Sequence, residues 1–352
     1  MPLIEFTSKG LCCQAGGFYI DPWRPVEKAV ITHAHSDHAR AGSAAYLCHR
    51  DTKPLLQLRL GSNSYQTVEW NEPVLMNNVK VSLHPAGHVI GSSQVRIEQN
   101  GEVWVVSGDY KLEDDGLSGR FEAVRCHTFI TESTFGLPIY RWKPQREIYK
   151  SIQDWVLEQT AKDVTPVLAA YSIGKSQRLL KCLEEAGLPV FLHGAVHNVH
   201  TALVNAGWTL PPVTRVDPSM PNKIFKGGVV IAPSSATQSP WMKRFTPYVV
   251  GICSGWMQVR GQVRRSNADA GFALSDHADW TGLLQTIKDT GAEKVYVTHG
   301  FQAAFSRYLN EIGIEAAEVK TEFGGEEEET LEATEATETA ETTAPLNDQP
   351  NE

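Results

Sequence analysis

Residues 33–38 read His-Ala-His-Ser-Asp-His, which places four potential metal ligands in six positions. Imidazole nitrogens and carboxylate oxygens are the usual ligands of zinc and similar divalent ions. The i, i+2 spacing of His33 and His35 lets two imidazoles converge from one extended loop, while Asp37 and His38 turn towards a second position close by. Neither a packed core nor an ordinary surface explains that density. The segment follows a β-rich run at 28–32, so the reading is a strand that ends in a metal loop.

Other segments repeat the pattern of a β-rich run ending in a polar cluster. His88 closes Pro-Ala-Gly-His, where Gly87 permits close backbone approach. Asp109 lies in Ser-Gly-Asp-Tyr after the run at 103–107, and His299 follows the run at 294–298. A carboxylate can bridge two cations, and Asp109 is the candidate for that role. Residues 95–106 carry Asn100-Gly101 between two strand-like runs, a type I′ hairpin signal. The middle of the chain differs: a strand at 166–171, an amphipathic helix at 175–186 closed by Gly187, and a strand at 189–193 make a βαβ unit with parallel strands. Runs at 228–232 and 248–253 add further strands.

The formal net charge of −9 is uneven: residues 321–352 hold 11 acids and no Lys or Arg, leaving 30 acids against 32 bases in residues 1–320. A near-neutral body can carry a basic groove for a polyanion. The tail at 324–352, built on Glu, Thr and Ala, cannot bury enough apolar surface to offset its ordering entropy and reads as disordered. No apolar run is long enough for a membrane span and no apolar signal core opens the chain, so a cytoplasmic protein without membrane contact is expected. Six cysteines without a C-x-x-C pair read as buried free thiols.

His33 to His38 with Asp21, His88, Asp109 and His299 resembles the signature of the metallo-β-lactamase superfamily. Thr131-Glu132-Ser133-Thr134-Phe135-Gly136 and Ser275-Asp276-His277-Ala278-Asp279 resemble two motifs of its β-CASP nuclease branch. The similarity is closest to bacterial ligase-associated DNA exonucleases. It implies an α/β fold: a metallo-β-lactamase αββα sandwich in two parts, 1–136 and 270–323, with an inserted β-CASP α/β domain at 137–269. It also implies two divalent metal ions, zinc or alternatively manganese. One would be held by His33, His35, His88 and Asp109, the other by Asp37, His38, Asp109 and His299, with Asp21 orienting the ligand loop.

The implied activity is hydrolysis of DNA phosphodiesters, as an exonuclease in repair, by hydroxide formed between the metals. His277 matches the general acid, Glu132 the carboxylate that orients and charges it, and Asp37 belongs to the same catalytic centre. A DNA ligase and a helicase are the implied partners. A ribonuclease of the same architecture is the alternative, because the position of His299 tends to be His in RNA enzymes of this branch and Val in one group of its DNA enzymes. Substrate contacts are expected from Lys175 and Arg178 at a strand-to-helix turn, from Ser133, and from Arg260, Arg264 and Arg265 near Trp256. Lys243, Arg244 and Trp241 extend that basic, aromatic set. The turn is no complete P-loop, since Ala169 stands where its first glycine would be. Deleting residues 324–352 should leave the thermal unfolding midpoint unchanged; a chain that no longer unfolds cooperatively would refute the reading of the tail.

Overall fold

A computed structural model describes residues 2–265 and 268–319; the tail at 324–352 and the side chains of Arg260 and Arg264 lie outside the described residues. Among the described residues there are three sheets. The first has six strands, in the order Glu5–Thr7, Gly10–Cys13, Phe18–Ile20, Lys28–Val30, Ala45–His49 and Tyr65–Val68. The second has seven, in the order Glu315–Glu318, Lys294–Thr298, Thr128–Glu132, Glu102–Val106, Ser93–Gln99, Val79–Pro85 and Val74–Met76.

These two sheets face one another, and strand alternation explains how. Val30 and Leu47 of the first sheet meet Val81, Ile97, Trp104 and Ile130 of the second in one apolar cluster. Their neighbours point the other way. Ala29, Ile31, Tyr46 and Cys48 pack against Leu55 and Leu56 of the helix Lys53–Leu60 and Val199 and Leu203 of the helix Gly194–Asn205. Val103, Val105, Phe129 and Val295 pack against Leu283 and Ile287 of the helix Trp280–Thr290 and Phe305 and Leu309 of the helix Gln302–Glu311. The result is four layers, helices outside and two sheets within. The Asn100-Gly101 hairpin forms as expected: Gln99 faces Glu102, and both turn residues have positive φ, 51° and 84°.

The third sheet is wholly parallel and drawn from the middle of the chain, in the order Thr214–Arg215, Val190–Leu192, Val229–Ala232, Thr165–Ala169, Tyr248–Cys253 and Ala270–Phe272. Its last strand extends past residue 269, where the sequence motifs end the insertion. The helix Lys175–Glu184 lies on this sheet, with Leu179, Leu180 and Leu183 in its core.

The chain leaves the second sheet at Glu132 and returns at Lys294, and the two strands it joins lie side by side in parallel, Glu132 opposite Thr298. Thr128–Glu132 also runs parallel to Glu102–Val106. Parallel strands end at the same edge, so Asp109, Glu132 and His299 gather there.

Arg178 ties the third sheet to the four layers. It is 1% exposed, and its guanidinium donates to Asp115 Oδ2 at 2.7 Å and to Asp276 Oδ1 at 2.5 Å. Burial pushes both carboxyls up, but the Arg178 charge beside Asp115, and the Lys175 and Arg178 charges beside Asp276, hold both below the usual carboxylate range. A depressed folded pKa gives stability that is present above the unfolded value of about 4 and lost as pH falls below it. Arg178→Met should lower unfolding free energy by about 3–5 kcal/mol in urea titration at neutral pH, because two buried carboxylates lose their partner. The difference from wild type should shrink as the pH is lowered below about 4; a pH-independent difference would show that the charges contribute nothing.

Candidate metal centre

Backbone geometry puts each ligand where it stands. Gly87 has φ +74°, and a Cβ there would lie 2.3 Å from the Lys111 carbonyl, so only glycine lets the loop carry His88 inwards. His299 itself adopts a positive φ of 50°, and Gly300 follows against the Ser133–Thr134 backbone. Such a conformation costs energy in a non-glycine residue and persists where surrounding bonds fix it.

The seven residues expected to hold metal meet in one place. His33, His35, His88 and Asp109 each offer a ligand atom within 4.8 Å of the others, as do Asp37, His38 and His299. His33 Nε2 and His88 Nε2 both lie 3.1 Å from His35 Nδ1. Two zinc–nitrogen bonds of 2.0–2.1 Å at a tetrahedral angle leave their nitrogens roughly 3.3 Å apart, so the spacing suits three ligands around one ion. Asp109 Oδ2 stands 3.4 Å from His33 Nε2 and 3.4 Å from His38 Nε2, the position of a bridging oxygen. His38 Nε2 is buried without a hydrogen-bond partner. An orphaned buried nitrogen is costly unless something binds it, and it faces Asp37 Oδ2 at 3.4 Å. The donor set fits two divalent cations.

The electrostatics agree. Burial, with His38 next to His33 and His299 and His277 next to His88, holds these three imidazoles below their usual value, in the neutral form that binds metal. Burial also opposes a charge on His38, but Asp109 and Asp37 outweigh it and hold that imidazole well above its usual value, so an arriving cation would displace a proton there.

Asp21 reaches the His33–His38 loop. Its Oδ2 is 2.7 Å from His38 Nδ1, and its Oδ1 accepts from the Thr32 amide at 2.8 Å. Glu132 and His277 form a second unit: His277 Nδ1 is 2.9 Å from Glu132 Oε2, while Glu132 Oε1 accepts from the Tyr110 amide at 2.7 Å. Asp109, Glu132 and His277 also lie within ligand range of one another, so the pair stands beside the cluster.

These residues open into one cleft lined by His35, Asp37, His88, Asp109 and His277 on one part and by Tyr171, Lys175 and Trp256 on another. Four expected substrate contacts are engaged within the protein instead. Arg178 is buried and its guanidinium is taken up by Asp115, Asp276 and the Ser275 carbonyl. Ser133 is fully buried, donating to the carbonyls of Thr298 and His299, so it shapes the His299 turn. Trp241, partly buried, packs edge-on against Phe245 at the margin of a third-sheet core, and Arg244 donates to the Asp217 carbonyl. Lys175 does line the cleft, 3.2 Å from Asp276 Oδ2 and over the Tyr171 ring at 4.6 Å. Asp115, Tyr171 and the role of Asp276 are not apparent in the sequence: Asp276 is marked only by adjacency to His277, and nothing local marks the other two.

No family model matches the sequence. Among curated proteins, it is 34% identical over 320 residues to a probable DNA ligase of Opitutus terrae, covering 90% of this chain and 31% of that protein. It is 31% identical over 125 residues to endoribonuclease ysh-1 of Neurospora crassa, covering 34% and 14% of the two chains. It is 26% identical over 195 residues to RNase aCSPSF2 of Saccharolobus solfataricus, covering 47% and 39%. Its homologues by sequence thus include nucleases of the β-CASP type. It spans less than two fifths of the length of these relatives. A solved structure of a protein of unknown function from Enterococcus faecalis V583 shares the fold, with a TM-score of 0.59 at 14% identity, covering 84% and 80% of the two chains.

The centre makes a countable prediction. Equilibrium dialysis of metal-stripped protein should recover two divalent ions per chain, and the double variant His33→Ala, Asp37→Ala should retain neither. A double variant that still takes up two ions would refute the ligand assignment.

Proposed function

We propose that this chain is a metal-dependent nuclease that hydrolyses DNA phosphodiesters, working as an exonuclease in repair on a metallo-β-lactamase αββα sandwich with a β-CASP domain inserted at about 137–272. The observation that carries the reading is the Glu132–His277 pair at 2.9 Å beside seven converging ligands. Two bound divalent ions, zinc or manganese, would activate water and neutralise the phosphoryl oxygens. The chain's own residues do the rest. Glu132, fixed by the Tyr110 amide, orients the His277 ring through Nδ1, and Nε2 would carry the proton that the leaving sugar oxygen needs. Lys175 brings a cation to the cleft, and Tyr171 and Trp256 bring aromatic surface on which an unstacked base can rest.

The DNA assignment draws on the ligase-named relative, which aligns with 90% of this chain, whereas the ribonuclease-named relatives align with 34% and 47%. That relative's length also places a homologue of this chain in one polypeptide with further sequence, in keeping with a ligase as partner; a helicase partner rests on family resemblance alone. RNA is the second reading, favoured by those ribonuclease names and by His299 among the ligands. Among the described residues no helix is long and apolar enough to cross a membrane.

End-labelled DNA and RNA of identical sequence, incubated with protein reloaded with zinc or with manganese, should show DNA shortened from an end and RNA left intact; RNA cleavage at a higher kcat/KM would overturn the DNA assignment. His277→Ala should keep its metal and lose about 10²–10⁴-fold in turnover. The wild-type rate should fall at high pH as the imidazole loses its proton, and that limb should vanish in the variant. Wild-type turnover in His277→Ala would end the general-acid role.

A further inference from the structure

Hydrogen bonds to the backs of the imidazoles divide the centre in two. The rings of His38 and His33 are held by the facing sheets themselves: His38 Nδ1 by Asp21 at 2.7 Å, and His33 Nδ1 by Thr32 Oγ1 at 3.1 Å. His299 is fixed through its carbonyl, which accepts from Ser133. The other two rings of the first ligand group are held from the third sheet. His35 Nε2 lies 3.2 Å from the Ile173 carbonyl, in the turn after Thr165–Ala169, and His88 Nδ1 lies 2.9 Å from the Asp276 carbonyl, just after Ala270–Phe272.

The Asp276 peptide is itself clamped. Arg178 Nη1 donates to the Ser275 carbonyl at 2.9 Å and to Asp276 Oδ1 at 2.5 Å, and Arg178 Nη2 reaches the His88 carbonyl at 3.4 Å. Lys175 Nζ is 3.2 Å from the other Asp276 oxygen. One guanidinium therefore holds the backbone on both sides of the His88–Asp276 contact. Arg178 and Asp276 are 1% and 2% exposed, so water cannot replace a lost partner.

We infer that the third sheet supports only one of the two cation positions, and that Asp276, braced by Arg178 and Lys175, is a positioning residue for the His33–His35–His88 position alone. The inference rests on the two-cation reading of the centre. A metal-binding imidazole needs its far nitrogen held, and loss of that hold commonly costs 10–100-fold in affinity. Asp276 supplies it for His88, whereas Asp21 supplies it for His38 and, through the Thr32 hydroxyl, supports His33 as well. Seating of the third sheet is thereby linked to occupancy of a single metal position, so a substrate that shifts that sheet changes the affinity for one ion and not the other.

Titration of the metal-stripped full chain with Co²⁺, followed by calorimetry and by the visible absorption of the bound ion, separates the two affinities. Wild type should bind in two steps. Asp276→Asn should weaken one step by about 10–100-fold and leave the other, while Asp21→Asn, which loosens both His38 and the Thr32 hydroxyl that holds His33, should weaken both steps. Arg178→Lys, which keeps a cation in the clamp, should follow Asp276→Asn in direction with a smaller loss, and it decides the matter if Asp276→Asn does not fold. Leu192→Ala destabilises the third-sheet core without touching the clamp and should leave both steps in place. The inference is overturned if Asp276→Asn or Arg178→Lys weakens both steps equally or neither, or if Leu192→Ala matches them. A wild-type chain that does not bind two ions would instead overturn the two-cation reading itself.

Discussion

Everything in this molecule answers to the burial of charge at one sheet edge. Asp109 Oδ2 lies within 3.7 Å of nitrogens from His33, His38 and His88, and both it and those rings are almost wholly buried. A buried carboxylate is expensive unless it is paired; Asp109 has the His38 charge beside it, while the neutral imidazoles of His33 and His88 gain nothing from lone pairs turned towards it. Divalent cations would make ligands of all these atoms. Metal binding would thereby relieve an electrostatic cost and be coupled to folding.

That cost requires a rigid frame. The parallel strands ending at Asp109, Glu132 and His299 supply three of the groups from one edge, and the facing sheet supplies the His33–His38 loop from the other side. The third sheet closes the remaining side through Arg178, Asp276, Lys175 and Asp115, two cations against two carboxylates. Such a buried quartet is a poor source of net stability compared with apolar packing, but its directional bonds fix a single arrangement. Position, not strength, is what a metal centre needs from its surroundings.

The candidate ligands stand out in the sequence because local spacing carries them. Four donors in six residues, and single donors after β-rich runs, point to metal without any knowledge of what lies nearby in space. The hairpin at Asn100-Gly101 and the parallel strands of the middle segment were equally open to reading, since turn chemistry and periodicity are local properties. Arg178 was not. A basic residue at a strand-to-helix turn looks like a phosphate contact, and only the fold reveals Asp115, 63 positions away, and Asp276, 98 positions away, as its partners. Ser133 was misplaced for the same reason: a hydroxyl beside a catalytic acid can serve substrate or backbone, and its carbonyl partners lie 165 and 166 residues on.

The same contrast explains how the catalytic pair is made. Glu132 and His277 are 145 residues apart, yet Glu132 is fixed by the second sheet and the Tyr110 amide, while His277 hangs from the segment that returns from the third sheet. Its amide donates to Ser275 Oγ at 3.0 Å, and its carbonyl accepts from Trp142 Nε1 at 2.9 Å. His277 is thus carried by the same stretch that carries Asp276 against His88. Any movement of that stretch displaces the His88 support and His277 together. A cluster assembled in this way is complete only when the third sheet is docked against the other two, so its geometry depends on that contact.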